Sequence, residues 1–262
     1  MTLISSLANP RIKIIRSLRS RKARDETGLF LVEGIRHVGE AVDAGAGIEA
    51  VYYAPDLLHS SFGQDLIQQQ VQHGIECIQV SGEVFNSLAE KENPQGILAV
   101  VRQPVESLHD LTPDDFPWGV AIVSPQDPGN LGAIMRTVDA VGAKGVILLD
   151  GGVDPCHPSA VRASMGTLFW LRVVSASFSE FSSWAVRSGY HVYGSSAHAE
   201  SDYRQLHEYR SPRILLLGSE REGLTSEQAE VCEKLVRLPM LGKATSLNQA
   251  VAAGVLLYAM LG

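Results

Sequence analysis

The chain has 262 residues, 45% of them apolar and 19% charged, with a formal charge of −7. Those are the proportions of a soluble globular protein with room for one large domain or two modest ones. Three cysteines, Cys77, Cys156 and Cys232, are odd in number and far apart with no CxxC pair, which excludes a disulfide framework and a zinc ribbon. No secretory signal is visible before Pro10 and Arg11, and the stretch 250–262 is too short to span a bilayer. A reducing, cytoplasmic setting with no membrane partner is predicted.

Charge is unevenly spread. Up to Arg24 there are seven basic residues (Arg11, Lys13, Arg16, Arg19, Arg21, Lys22 and Arg24) and no acidic one. The other 15 Lys and Arg stand against all 29 Asp and Glu, so an arm of +7 precedes a body of −14. Such asymmetry points to a polyanion partner for the arm, set against the plainer reading of a solvated basic helix. Asn9-Pro10 predicts an N-cap and first helical residue. Ile12, Ile15 and Leu18 recur at helical spacing and leave much of the basic set facing outward.

Further along, 29–32 reads as a short strand and 35–44 as a helix. Strand-like runs follow at 48–53, 75–80 and 97–101, with helices at 62–72 and 82–88 between them, which is a small α/β domain over 1–103. Residues 104–117 carry Pro104, Pro113 and Pro117 with Asp110, Asp114 and Asp115, the chemistry of a linker. A second series occupies 118–262. Apolar runs at 120–123, 146–149, 190–193 and 214–217 read as buried parallel strands. Helices are predicted at 132–142, 179–188, 224–234 and 246–261. The fold class is therefore α/β, with a mostly parallel sheet, helices on both faces and a ligand expected where strand ends meet loops.

Familiar nucleotide and hydrolase signatures, GxGxxG, GxxxxGK[ST] and GxSxG, do not occur. Among the eight histidines only His157 beside Cys156 makes a near pair, too few ligands for a closed metal site, so no metal is predicted. Three other segments stand out, each at the end of an apolar run. In the first, 127–137, Asp127-Pro-Gly forms a turn and Asn130 is a candidate cap for the helix that follows. Ile134, Val138 and Val141 define its buried stripe. Arg136, about 200° round from Ile134, points away from that stripe, either as a phosphate clamp or as an ordinary solvent-facing arginine. In the second, Gly218 directly after the strand ending at Leu217 allows close approach of a ligand to backbone, and Glu220, Arg221 and Glu222 follow. In the third, Leu238, Met240, Ser246, Leu247 and Asn248 lead into a helix rich in small residues, with Ser246 a candidate N-cap.

Together these segments resemble the three motifs of the SpoU (TrmH) class of SPOUT RNA methyltransferases. Asn130-x-Gly132-x-x-x-Arg136-Thr137 carries the first, Gly218-x-Glu220-x-x-Gly223-Leu224 the second, and Leu238-Pro-Met with Ser246-Leu-Asn248 the third. Arg162-Ala-Ser-Met-Gly166 between the first two also fits. Residues 1–103 are similar, more weakly, to the ribosomal-protein-like substrate-binding domain often fused ahead, through Phe30-Leu-Val-Glu-Gly34 and Asn93-Pro-Gln-Gly-Ile-Leu-Ala99. Gln249, Ala250, Thr245 and Ala259 depart from residues common in the class, departures expected to touch helix packing.

The resemblance implies S-adenosylmethionine as cofactor, a C-terminal trefoil knot, a homodimer, and methylation of a ribose 2′-hydroxyl in RNA. It implies a catalytic set of Asn130, Arg136, Glu220, Ser246 and Asn248. Cofactor contacts are implied at Leu217, Gly218, Leu238, Met240 and Leu247, with Ser195 and Ser196 lining the same pocket. The seven cations of the arm, with Arg36, form the predicted RNA-binding set. The fused N-terminal domain favours ribosomal RNA over tRNA. A non-catalytic RNA-binding or ribosome-assembly factor is the reading from another class.

Overall fold

The computed structural model of the protein describes residues 3–261. Residues 1, 2 and 262, at the outer bounds of the two predicted domains, lie outside the described residues. In chain order the first elements are α1 (Pro10–Ser17), α2 (Arg21–Thr27), β1 (Leu29–Glu33), α3 (Ile35–Asp43), β2 (Ile48–Tyr53), α4 (Ser61–Gln72), β3 (Glu76–Gln79), α5 (Gly82–Leu88) and β4 (Ile97–Arg102). Then come β5 (Trp118–Val123), α6 (Pro128–Ala140), β6 (Gly145–Leu149), α7 (Pro158–Ser164), β7 (Arg172–Ala176), α8 (Phe178–Arg187) and β8 (His191–Ser195). The chain closes with β9 (Ser201–Asp202), β10 (Arg213–Leu217), α9 (Ser226–Glu230), β11 (Lys234–Arg237) and α10 (Gln249–Met260). The described residues form two compact units: 3–104 with Cys156–Phe169, and Val105–Pro155 with 170–261.

The first unit is built on a four-stranded sheet in the order β1-β4-β2-β3, antiparallel except for the parallel pair β2–β3. Helix α1 begins as its sequence predicts, with Pro10 at the first position and the Asn9 side chain accepting from the Arg11 amide at 2.9 Å. Its stripe of Ile12, Ile15 and Leu18 is fully buried in the unit's core beside Phe85, Leu88 and Val100. Each such side chain contributes about 1.5–3 kcal/mol, so apolar packing holds the basic segment against the body. It is a docked helix rather than a projecting arm. The segment Cys156–Phe169, which the sequence grouped with the second series, packs within this unit. Phe169 stacks on Phe30 with centroids 6.4 Å apart, and Arg162 pairs with Glu90 at 2.8 Å.

The second unit holds a seven-stranded sheet in the order β7-β6-β5-β10-β8-β11-β9, with every pairing parallel. β5, β6 and β10 are almost wholly buried, as the unbroken apolar runs require of strands covered on both faces. β7, β9 and β11 carry mixed sequences that gave no such run. The predicted helix over 224–234 is cut to the five residues of α9, and Lys234 already belongs to β11. The Pro- and Asp-rich stretch read as a linker is packed rather than loose. Leu108, Leu111 and Phe116 lie in this unit's core, Trp184 Nε1 donates to the Leu111 carbonyl at 3.3 Å, and the Tyr190 hydroxyl donates to that of Phe116 at 2.8 Å. No helix of the described residues is long and apolar enough to cross a membrane.

Candidate functional site

The carboxyl ends of β8, β10 and β11 open into one cleft of about 640 Å³, where loops leave a parallel sheet. Ser195 and Ser196 border it at the end of β8, Leu217 and Gly218 at the end of β10, Leu238 and Met240 beyond β11, and Leu247 ahead of α10. Asn130, Glu220, Ser246 and Asn248 border it too. Residues from three separated segments therefore meet at one opening, because crossover connections bring distant loops to the same edge of the sheet.

Asn130 is the hub of that meeting. The sequence offered it as the cap of α6, but Asp127 is the cap, its Oδ1 accepting from the Asn130 amide at 2.6 Å. That leaves the Asn130 side chain for tertiary contacts. Its Nδ2 donates to Glu220 Oε1 at 2.8 Å, and its Oδ1 accepts from Asn248 Nδ2 at 2.8 Å. Asn248, not Ser246, caps α10, accepting from the amides of Ala250 at 2.9 Å and Val251 at 3.3 Å. A cap uses the carbonyl oxygen of an asparagine and leaves its NH₂ for a second partner, which serine cannot match. Asn248 therefore anchors α10 and reaches α6 with the same side chain.

Gly218 has a different reason from the ligand approach that the sequence suggested. A Cβ placed there would lie 2.1 Å from the backbone carbon of Gly223. Ser219 and Gly223 exchange backbone hydrogen bonds of 3.0 and 3.1 Å, folding the chain back on Gly218. The glycine is demanded by the protein's own turn, which in turn presents Glu220, Arg221 and Glu222 along the cleft.

Gln249 is a departure whose effect the sequence reading misjudged. It borders the cleft, and its Nε2 donates to the Gly218 carbonyl at 2.8 Å. His198 and Thr245 also line the opening. His198 follows closely on the carboxyl end of a strand, which is the signal that could have found it. Behind β8, burial pushes the Cys232 thiol up to about 12, which keeps it protonated and inert at neutral pH.

Arg136 is not brought to the cleft. It is exposed on α6 and has no hydrogen-bond or ion-pair partner among the described residues. Six residues beyond Asn130 at about 1.5 Å each, it stands roughly 9 Å further along the helix. On its own, the chain thus assembles four of the five predicted catalytic side chains and leaves the fifth facing solvent.

The predicted RNA-binding cations divide. Arg11 pairs with Glu76 at 2.6 Å, Arg21 with Asp25 at 3.7 Å, Lys22 with Glu26 at 3.8 Å and Arg36 with Glu40 at 2.9 Å. Arg16 donates to the Ser87 hydroxyl at 2.8 Å, and Arg19 to the Ala89 carbonyl. Lys13 is exposed without a partner among the described residues. Arg24 must be corrected. It is 1% exposed and donates to the carbonyls of Leu18 and Arg19 at 2.9 and 2.8 Å, so it closes the α1–α2 corner and cannot reach a phosphate.

Residues 117–258 match the family model described as the SpoU rRNA Methylase family, and residues 9–99 match that of an MRM3-like substrate binding domain. The chain is 30% identical over 262 residues to a 23S rRNA (guanosine(2553)-2′-O)-methyltransferase of Bacillus subtilis, covering 100% of both proteins. It is 32% identical to a 23S rRNA (uridine(2479)-2′-O)-methyltransferase of Streptomyces viridochromogenes, over 92% of this chain and 85% of that one. Among solved structures, an AdoMet-bound rRNA methyltransferase from Sinorhizobium meliloti is 34% identical with a TM-score of 0.89, covering 99% of this chain and 97% of the other.

Proposed function

The chain belongs to the SpoU rRNA methylase family, and from that premise we propose that it transfers a methyl group from S-adenosylmethionine to a ribose 2′-hydroxyl of ribosomal RNA. The observation that carries this reading is the hydrogen-bonded run Glu220–Asn130–Asn248, which ties one residue from each of the three motifs together at the cleft.

The cleft suits the cofactor. Its volume falls in the range of cofactor sites. Its lining is amphiphilic in the way the ligand is: Leu217, Leu238, Met240 and Leu247 offer apolar walls for a purine, and the hydroxyls of Ser195 and Ser196 offer partners for polar groups. Bound there, the cofactor would supply an electrophilic methyl carbon on a sulfonium sulfur. Glu220, held by Asn130, sets a negative charge at the cleft wall, the complement of a cationic ligand. Ser246 and the Asn130–Asn248 pair present hydroxyl and amide groups able to orient a ribose.

Arg136 serves best as a clamp on an RNA phosphate that also stabilises charge developing on the 2′-oxygen. Its position away from the cleft of its own chain supports a site completed by a second copy.

A homodimer is supported independently by α10. That helix is apolar all round: Ala253, Leu256, Leu257 and Met260 are buried, while Val251, Val255 and Tyr258 stay exposed on the other side. Such a helix belongs in a covered place. The knot implied by the resemblance is supported by the path of the chain, which runs out to β11 beyond β8 and then returns in α10 to pack on α6. Ribosomal RNA is favoured over tRNA by the substrate-binding match at 9–99 and by the 23S rRNA named for both relatives.

Calorimetric titration with S-adenosylmethionine and S-adenosylhomocysteine tests the reading. Saturable binding of both is expected. No binding to either, by folded protein, would overturn it in favour of a non-catalytic RNA-binding factor.

A further inference from the structure

We propose that Trp170 is a stacking platform for a base of the RNA, set beside the phosphate clamp Arg136. The inference deepens the methyltransferase reading and rests on it. Of the three tryptophans, Trp118 and Trp184 are 7% and 3% exposed, while Trp170 is 49% exposed. Tryptophans are enriched at interfaces, where an apolar ring meets a partner.

This one is also fixed in orientation, its Nε1 donating to Asp139 Oδ1 at 2.7 Å. With its single donor occupied, the ring has only its faces left to offer, and a face that cannot swivel loses little freedom on binding. Asp139 is exposed on α6 three residues beyond Arg136, about 60° round the helix, and such positions are surface neighbours. The bond from Trp170 therefore holds the indole against the same outer face of α6 that carries Arg136.

A second cation stands on a neighbouring segment. The Arg172 amide, two residues after Trp170, donates to the Lys144 carbonyl at 3.0 Å. Lys144, like Arg136, is exposed and has no side-chain partner among the described residues. An oriented aromatic face with unpaired cations on neighbouring segments is an arrangement that takes single-stranded nucleic acid, a base on the ring and phosphates on the charges. By the helix rise, Asp139 stands about 13 Å beyond Asn130 along α6. The stacked base is accordingly a neighbour of the methylated nucleotide rather than the target itself, and Trp170 acts as a positioning residue.

The test uses intrinsic fluorescence of the full chain titrated with adenosine and uridine oligoribonucleotides of about 12 nucleotides, with binding followed separately by anisotropy of a labelled RNA. Because the other two tryptophans are buried, quenching on binding reports Trp170, and adenosine, the better stacker, should quench more. Trp170→Phe should abolish the quench yet bind RNA within about threefold of wild type. Trp170→Leu, similar in apolar character but with no π face, should bind at least tenfold more weakly, with the loss in KM for RNA rather than in kcat. RNA binding without quenching, or Leu and Phe variants of equal affinity, would overturn the proposal. So would a change of oligomeric state in Trp170→Leu by sedimentation, which would make this face a contact between copies. Failure of the wild-type protein to bind S-adenosylmethionine is a separate readout and would instead remove the methyltransferase reading.

Discussion

Asn130 Nδ2 donates to Glu220 Oε1 at 2.8 Å across 90 residues of chain, and the same amide accepts from Asn248 with its other end. Because both ends of the amide are committed, Asn130→Ala releases Glu220 and Asn248 together. Hydrogen bonds at an open cleft contribute about 1 kcal/mol or less to stability, so the variant should unfold close to the wild-type midpoint. Methyl transfer should fall at least tenfold. Asn130→Asp should do more harm than Asn130→Ala, since it places a second carboxylate against Glu220. Denaturation and single-turnover rates of the two variants check both statements.

The exposed stripe of α10 predicts its own outcome. Val255→Asp with Tyr258→Asp changes only solvent-exposed positions of the chain, so each subunit should stay folded. Analytical ultracentrifugation should find the wild type dimeric and the double variant monomeric. Methyl transfer should fall with dimerisation, because Arg136 is not brought to the cleft of its own chain.

The arm separates into structural and RNA-facing cations. Arg24→Met should leave the carbonyls of Leu18 and Arg19 without their donor, at a cost of about 1–3 kcal/mol for each that stays dry, and should lower the melting temperature without changing RNA affinity of the folded protein. Charge reversal at Arg19, Arg21 and Lys22 should act mainly on RNA, with a smaller loss of stability from the Arg19 bond to the Ala89 carbonyl and the exposed ion pairs of Arg21 and Lys22. It should weaken RNA binding and flatten its salt dependence. Parallel thermal melts and filter-binding titrations at two salt concentrations distinguish them.

His37, 9% exposed with its Nε2 unpartnered, gives a pH dependence. Burial holds its imidazole below the ordinary value of 6.5, outweighing the opposing pull of the Arg162 backbone and of nearby Glu40. The unfolded chain then binds a proton at a pH where the folded chain does not, so stability is complete above about 6.5 and is lost as pH falls below it. Urea midpoints from about pH 8 to about pH 5 should show the loss, and His37→Gln should flatten the curve over that range.

How much of this was legible beforehand depends on the kind of signal. The strands β5, β6 and β10 were plain because burial on both faces writes an unbroken apolar run. β7, β9 and β11 were not, since their sequences are mixed and their pairing is set by neighbours distant in the chain. The Pro- and Asp-rich stretch before β5 misled for a related reason. Its composition is that of a turn, yet three spaced apolar residues, Leu108, Leu111 and Phe116, reach the core. The starts of the predicted helices were located to within a few residues, while α2 and α7 were not foreseen, and which polar residue caps a helix was decided by tertiary geometry. Asp127 relieved Asn130, and Asn248 took the place open to Ser246. The motif residues bordering the cleft were legible only through the family resemblance, because neither spacing nor periodicity joins 130, 220 and 248. The burial of Arg24 carried no sequence signal at all, as its six companions in a basic run read alike.

The most direct test of the account is transfer of labelled methyl from S-adenosylmethionine to unmethylated ribosomal RNA, followed by alkaline digestion, which spares a linkage only where the 2′-oxygen is blocked. The account predicts one alkali-resistant, labelled dinucleotide with the wild-type protein and a rate at least about a hundredfold lower with Arg136→Ala, at unchanged cofactor affinity. Label recovered on a base with every linkage alkali-labile, or near-wild-type transfer by Arg136→Ala, would contradict it.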